Sequence, residues 1–164
     1  MSSYSVQYSV HAPNEFIRTH LNRLLPQWSV PVLSVLVVLQ KSQVTLLAQS
    51  AEIQAQKQQL RQQFFWLGDR IAHQLQHLGY EAEIFDPKTG LPTLSLPGES
   101  QLDDVAVVRS ALGYPLTQAG DCLIILHPIW GSAVYPSVLM SSAAPHQVEK
   151  IVDTLINSNV HLPS

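Results

Sequence analysis

Apolar and polar positions divide the chain into segments of two periods. Residues 4–10 alternate, with Tyr4, Val6, Tyr8 and Val10 on one side, the two-residue repeat of a half-buried strand. Pro13 and Asn14 interrupt it. Asn14 is a helix-capping residue type, and Phe16, Ile17, His20, Leu21, Leu24 and Leu25 follow at helical spacing as far as Pro26. Residues 30–39 form the longest apolar run, almost all β-branched or leucine, which predicts a strand near the centre of a sheet. Pro31 should mark its start, because proline has no N–H for a mid-sheet ladder. Residues 44–48 fit either a further strand or an irregular return.

Residues 51–78 predict the main helix. Leu60, Phe64, Leu67, Ile71, Leu75 and Leu78 share one face, glutamines fill the other, and Gly79 closes the end. Residues 81–85 alternate as a strand. Residues 86–100, with three prolines and two glycines, predict a loop of a length that is uncommon unless it is functional. Residues 102–112 predict a helix with Asp103 and Asp104 in its first turn and Gly113 at its end. Residues 145–157 predict a last helix with Val148, Ile151, Val152, Leu155 and Ile156 inward.

Between these helices lies the most informative stretch, residues 120–141. The run at 122–126 is too short for a helix and rich in β-branched residues, so it reads as a strand buried on both faces. His127, Pro128, Ile129, Trp130 and Gly131 break it, and residues 133–140 extend again. That pattern predicts a mid-sheet hairpin with a Trp-Gly corner. Hairpin-linked and helix-linked strands are thus mixed, which favours an α+β sandwich with a mostly antiparallel sheet over a doubly wound parallel one.

A length of 164 residues fits a single domain with a sizeable core. Charged residues are only 13% against 46% hydrophobic, which argues for large buried or partner-covered surfaces. A net charge of −3 provides no electrostatic footprint for nucleic acid or an anionic membrane. The start of the chain has neither a basic n-region nor an apolar signal core, and the run at 30–39, broken by Pro31 and Ser34, is far short of a membrane span. The expectation is a cytoplasmic protein without nucleic-acid or membrane partners.

Cys122 is the only cysteine, which excludes an internal disulfide and an all-cysteine zinc site. A free cysteine is most often a small buried hydrophobe, and Asp121 supplies charge of the wrong sign for a reactive thiol. Cys122 nevertheless opens its strand directly after Gly120, where access is greatest. Pairing it with His127 as nucleophile and base fails on one straight strand, because residues five apart face opposite ways. Asp69, His73 and His77 have metal-ligand spacing on a helix, but they lie among glutamines, as a solvated face does. Trp130 reads as a corner aromatic on the core or as a ligand platform. No phosphate-binding loop, dinucleotide fingerprint or H-E-x-x-H is present.

The blocks G-Y-E-A-E-I-F-D-P-K-T-G-L (residues 79–91), L-G-Y (112–114) and G-D-C-L-I-I-L-H-P-I-W-G with its following strand (120–141) resemble the methylmalonic aciduria and homocystinuria type D family. The likeness covers about the last two thirds of the chain. It implies a nitroreductase-like fold without the flavin. It also implies a non-enzymatic role, accepting or presenting cobalamin together with a cobalamin-processing partner. Cys122 matches the family's cysteine that binds cobalt through sulfur, a soft ligand for a polarisable metal. The implied binding surface comprises Cys122, His127, Trp130, Asp86 and Gly90. Two departures stand out: eukaryotic members carry a second cysteine where Asp121 stands and an arginine where Leu126 stands. With no mitochondrial leader, a prokaryotic relative is expected. The alternatives are a thiol- or flavin-dependent reductase on the same scaffold, or a homodimeric interaction protein without ligand.

Overall fold

In the computed structural model, residues 5–157 are described. Four antiparallel strands form the main sheet in the order β1-β2-β6-β3: β1 (Val6–His11), β2 (Ser34–Lys41), β6 (Val134–Ser141) and β3 (Ala82–Phe85). Helices α3 (Ala51–His77) and α5 (Pro145–Asn157) cover one face. The short helices α1 (Glu15–Thr19) and α2 (Leu21–Leu24), helix α4 (Asp104–Leu112) and a ribbon of β4 (Leu116–Ala119) and β5 (Cys122–Ile125) cover the other. This is the α+β arrangement of helices around an antiparallel sheet that the segment order predicts. No helix among the described residues is long and apolar enough to cross a membrane.

The apolar run of β2 follows from this layering. Val35, Val37 and Leu39 point into the core beneath α1, α2 and α4, while Leu36 and Val38 point into the core beneath α3 and α5. A strand buried on both faces reads as a nearly continuous apolar run, here residues 35–39. Strand β2 begins at Ser34, three residues after Pro31. Residues 44–48 form no strand, and Leu46 instead packs with Ile53, Leu60 and Tyr135.

Helix α3 is set at both ends by local chemistry. The Ser50 hydroxyl accepts from the Ile53 N–H at its start. At its end the Gly79 N–H donates to Gln76 O and the Tyr80 N–H to Leu75 O, with Gly79 at φ +93°. These two bonds make a Schellman closure that glycine admits without strain. Leu60, Phe64, Leu67, Ile71 and Leu75 are buried as the stripe predicts, but Leu78, at the cap, is exposed.

The predicted hairpin between residues 122–126 and 133–140 does not form. Strand β5 pairs with β4 through Leu116↔Ile125 to Ala119↔Cys122, whereas β6 lies between β2 and β3. Nor is β5 buried on both faces, since Cys122 and Leu123 are exposed and only Ile125 is covered. The intervening residues close on themselves: His127 and Gly131 exchange backbone hydrogen bonds of 2.8 and 2.9 Å. This tight turn sends the chain out of the ribbon and into the main sheet.

Candidate functional site

The site begins where β3 ends. Strand β2 accompanies β6 over all of Val134–Ser141, but β3 pairs only with Val138 to Ser141. The first half of β6 therefore has one strand neighbour, and Pro136 occupies a stretch where a missing N–H deprives no second ladder. The space left by β3 is a cavity of about 520 Å³. Gln54, Lys57, Gln58 and Arg61 of α3 form one wall. Cys122, Ile124 and Ile125 of β5, with Asp104 and Val105 at the start of α4, form another. Val134, Tyr135 and Pro136 supply the floor, and Pro87 and Lys88 an edge.

Arg61 and Asp86 brace this cavity. The guanidinium donates through Nε to Asp86 Oδ1 at 2.7 Å and through Nη2 to Oδ2 at 2.6 Å. This two-pronged geometry is the strong form of the pair. The hydrogen bond from Arg61 holds the Asp86 carboxyl below the usual carboxylate range, against the opposing effect of burial. Asp86 Oδ1 also accepts from the Lys88 N–H at 2.9 Å, and Asp86 O accepts from the Gly90 N–H at 2.8 Å, so the same residue shapes the turn after β3.

Two further ionisable groups line the cavity. Asp104 is the first residue of α4, after the Asp103 cap whose carboxylate accepts from the Ala106 N–H. Burial, with Asp103 nearby, pushes the Asp104 carboxyl up to about 7. Tyr135 is 8% exposed, and burial, followed by the charge of Asp104, pushes its phenol well above the ordinary value.

The five residues expected at a binding surface separate. Cys122 is exposed and lines the cavity, and Asp86 lies behind its wall through Arg61. Gly90 has φ +72°, and a Cβ there would stand 2.4 Å from Leu102 O, so it serves the close packing of the loop. His127 and Trp130 are not among the cavity residues. His127 Nδ1 accepts from the Ile129 and Trp130 N–H groups at 3.1 Å each, which leaves the ring proton on Nε2 to donate to Gln7 Oε1 at 2.8 Å. Burial lowers the His127 pKa, favouring this neutral ring, which stacks on Trp130 at 4.3 Å. With both nitrogens engaged, His127 holds the turn and is no base for Cys122. Asp69, His73 and His77 are exposed on α3, and no metal-binding group of three or more residues occurs among the described residues.

Lys57, Arg61, Asp104 and Tyr135 were not singled out by sequence. They come from three elements, and a lysine or arginine in a glutamine-rich helix face looks like a solvated residue. Glu83 was missed as well. Fully buried in β3, its Oε2 accepts from the N–H groups of Ile84, Thr93 and Leu94 at 3.0, 3.1 and 2.8 Å, and Oε1 accepts from the Ser95 hydroxyl. It thereby ties the loop after β3 to the sheet edge.

The profile of the methylmalonic aciduria and homocystinuria type D protein family matches residues 1–155. The chain belongs to this family. Curated relatives within reach of its sequence include the human protein named cobalamin trafficking protein CblD, 25% identical over 151 residues, covering 91% of this chain and 51% of the human one. The chicken protein of the same name is 26% identical over 140 residues, covering 85% and 47%, and the rat protein is 25% identical over 141 residues, covering 86% and 48%. The chain thus spans about half the length of the curated relatives it matches.

Proposed function

We propose that this chain is a cobalamin-trafficking adaptor without turnover, which offers the Cys122 sulfur to the cobalt of a cobalamin held by a cobalamin-processing partner. The observation that carries the reading is the exposed position of Cys122 at the head of β5, where it lines the cavity beside β6. The names of the relatives supply the cargo. A thiolate is a soft donor suited to cobalt. A corrin with its side groups is much too broad for a space of about 520 Å³, so the metal meets the sulfur from outside the cavity. Leu123, next to Cys122 and 53% exposed, and Ile129, 80% exposed in the turn after β5, provide apolar surface for the protein that carries the corrin. Arg61 and Asp86 contribute by fixing the walls, and His127 with Trp130 by fixing the turn that follows β5.

The test is the visible absorption spectrum of aquocobalamin and of an alkylcobalamin, free and loaded on a processing partner, with and without this protein. Wild type is expected to shift the cobalt-dependent bands and Cys122→Ala is expected to leave them unchanged. Equal spectra for the two proteins would remove the ligation role.

A further inference from the structure

The cavity interior, which a corrin cannot enter, has its own chemistry. The chain has only nine lysines and arginines, and three of them, Lys57, Arg61 and Lys88, line this one space in a protein of net charge −3. Arg61 is neutralised by Asp86. Lys57 and Lys88 line the cavity too, and neither takes part in the ion pairs among the described residues, Arg61–Asp86 and Arg23–Glu99. Tyr135, 8% exposed, adds a hydroxyl to the same lining. A hydroxyl on the lining of a cavity is a group that the polar edge of a ligand can meet. The remaining lining is largely apolar, with Leu46, Val105, Ile124, Ile125 and Val134 around the polar groups. Volume and lining both match small-molecule sites, which are mostly apolar with a few placed polar groups.

We propose that this cavity binds a small organic oxyanion, a carboxylate or phosphate ester with an apolar body, whose charged end sits between Lys57 and Lys88 and whose polar edge meets the Tyr135 hydroxyl. Asp104 does not oppose this: burial keeps its carboxyl largely protonated below about pH 7, where it is a donor and not a repelling charge. The inference goes beyond the cobalt reading and does not depend on it, since the ligand occupies the space behind Cys122.

Calorimetric titration at pH 6 with probes of matched body separates the parts. Phenyl phosphate and benzoate carry the anionic head, phenol and benzylammonium carry a neutral and a cationic head, and inorganic phosphate lacks the body. At least one of the two anionic aromatic probes is expected to bind ten-fold or more tighter than the other three, and which of the two does so identifies the head group. The Lys57→Gln/Lys88→Gln double variant should lose that ten-fold preference, and Tyr135→Phe should weaken binding several-fold. An Arg109→Gln/Lys150→Gln double variant, with the same charge loss on exposed residues elsewhere, should bind as wild type. Phenol or benzylammonium matching the anions, inorganic phosphate matching them, or undiminished binding by the double lysine variant would each overturn the proposal. No cobalamin is present, so this result and the spectral one stand or fall separately.

Discussion

Glu83 holds the loop after β3 through a single carboxylate that takes three backbone N–H groups and one hydroxyl. Glutamine keeps one acceptor oxygen for the amides and turns an NH₂ toward Ser95. Alanine removes the acceptor of the Ile84 and Leu94 N–H groups, while the Thr93 N–H keeps its bond to Ile84 O, and each donor left unpaired costs about 1–3 kcal/mol. Glu83→Ala is therefore expected to lose several-fold more stability than Glu83→Gln in urea unfolding, and equal losses would contradict this assignment of its hydrogen bonds. The acids near the cavity respond to pH in opposite directions. Asp86 is depressed by Arg61, so its stabilising effect is present above the unfolded value and is lost as pH falls through the lower folded one. Removing it by Asp86→Ala should cost about 2 kcal/mol at pH 7, the scale of hydrogen bonds to a charged group. Asp104 is raised from 3.8 to about 7, so the folded state holds its proton longer and stability falls as pH climbs between those values. Asp104→Asn should accordingly raise the thermal midpoint at pH 8 and lose most of that gain by pH 4. A pH-independent effect would remove burial of the charge as the cause.

At the scale of elements, register explains both what the sequence disclosed and what it concealed. Strand β2 was legible because a central strand covered on both faces is apolar over most of its length, here the five residues 35–39, and α3 because apolar residues recur at helical spacing. The partner of β5 was not legible. A run such as C-L-I-I carries the composition of a buried strand, yet pairing is decided by neighbours, and the weakly patterned L-T-Q-A of β4 gave no signal. The same limit applies to β3, whose early end creates the cavity: only the pairing register shows that Val134 to Ser137 lack a second strand neighbour. The loop of residues 86–100 was expected to be functional, and its structural role is to cover the β3 edge, through Phe85↔Pro92 and the Thr93 N–H to Ile84 O bond of 2.9 Å. Gly90 is the fixed point of that loop. Gly90→Ala should cost more than about 1 kcal/mol, since a positive φ is strained for any Cβ and this one meets the Leu102 carbonyl. Faster proteolysis within residues 86–100 is the matching readout, and an unchanged cleavage rate would contradict it.

For the molecule as a whole, the sheet and its two helical layers position one exposed sulfur beside one open-sided cavity. Cys122 stood out in the sequence as the single cysteine, and Asp86 through a motif. The groups that give the cavity its charge and its hydroxyl come from α3, β6, α4 and the loop after β3, and only folding assembles them. Family membership rests on a match along nearly the whole chain, while identity to the curated relatives is about a quarter and extends over half their length. Cargo transfer through Cys122 is therefore the claim most in need of a direct measurement. The decisive one is a titration of cobalamin, bound to its processing partner, followed by visible absorption with wild type and Cys122→Ala in parallel. The account predicts a saturable shift of the cobalt bands with wild type and none with the variant; the same shift from both, or from neither, would contradict it.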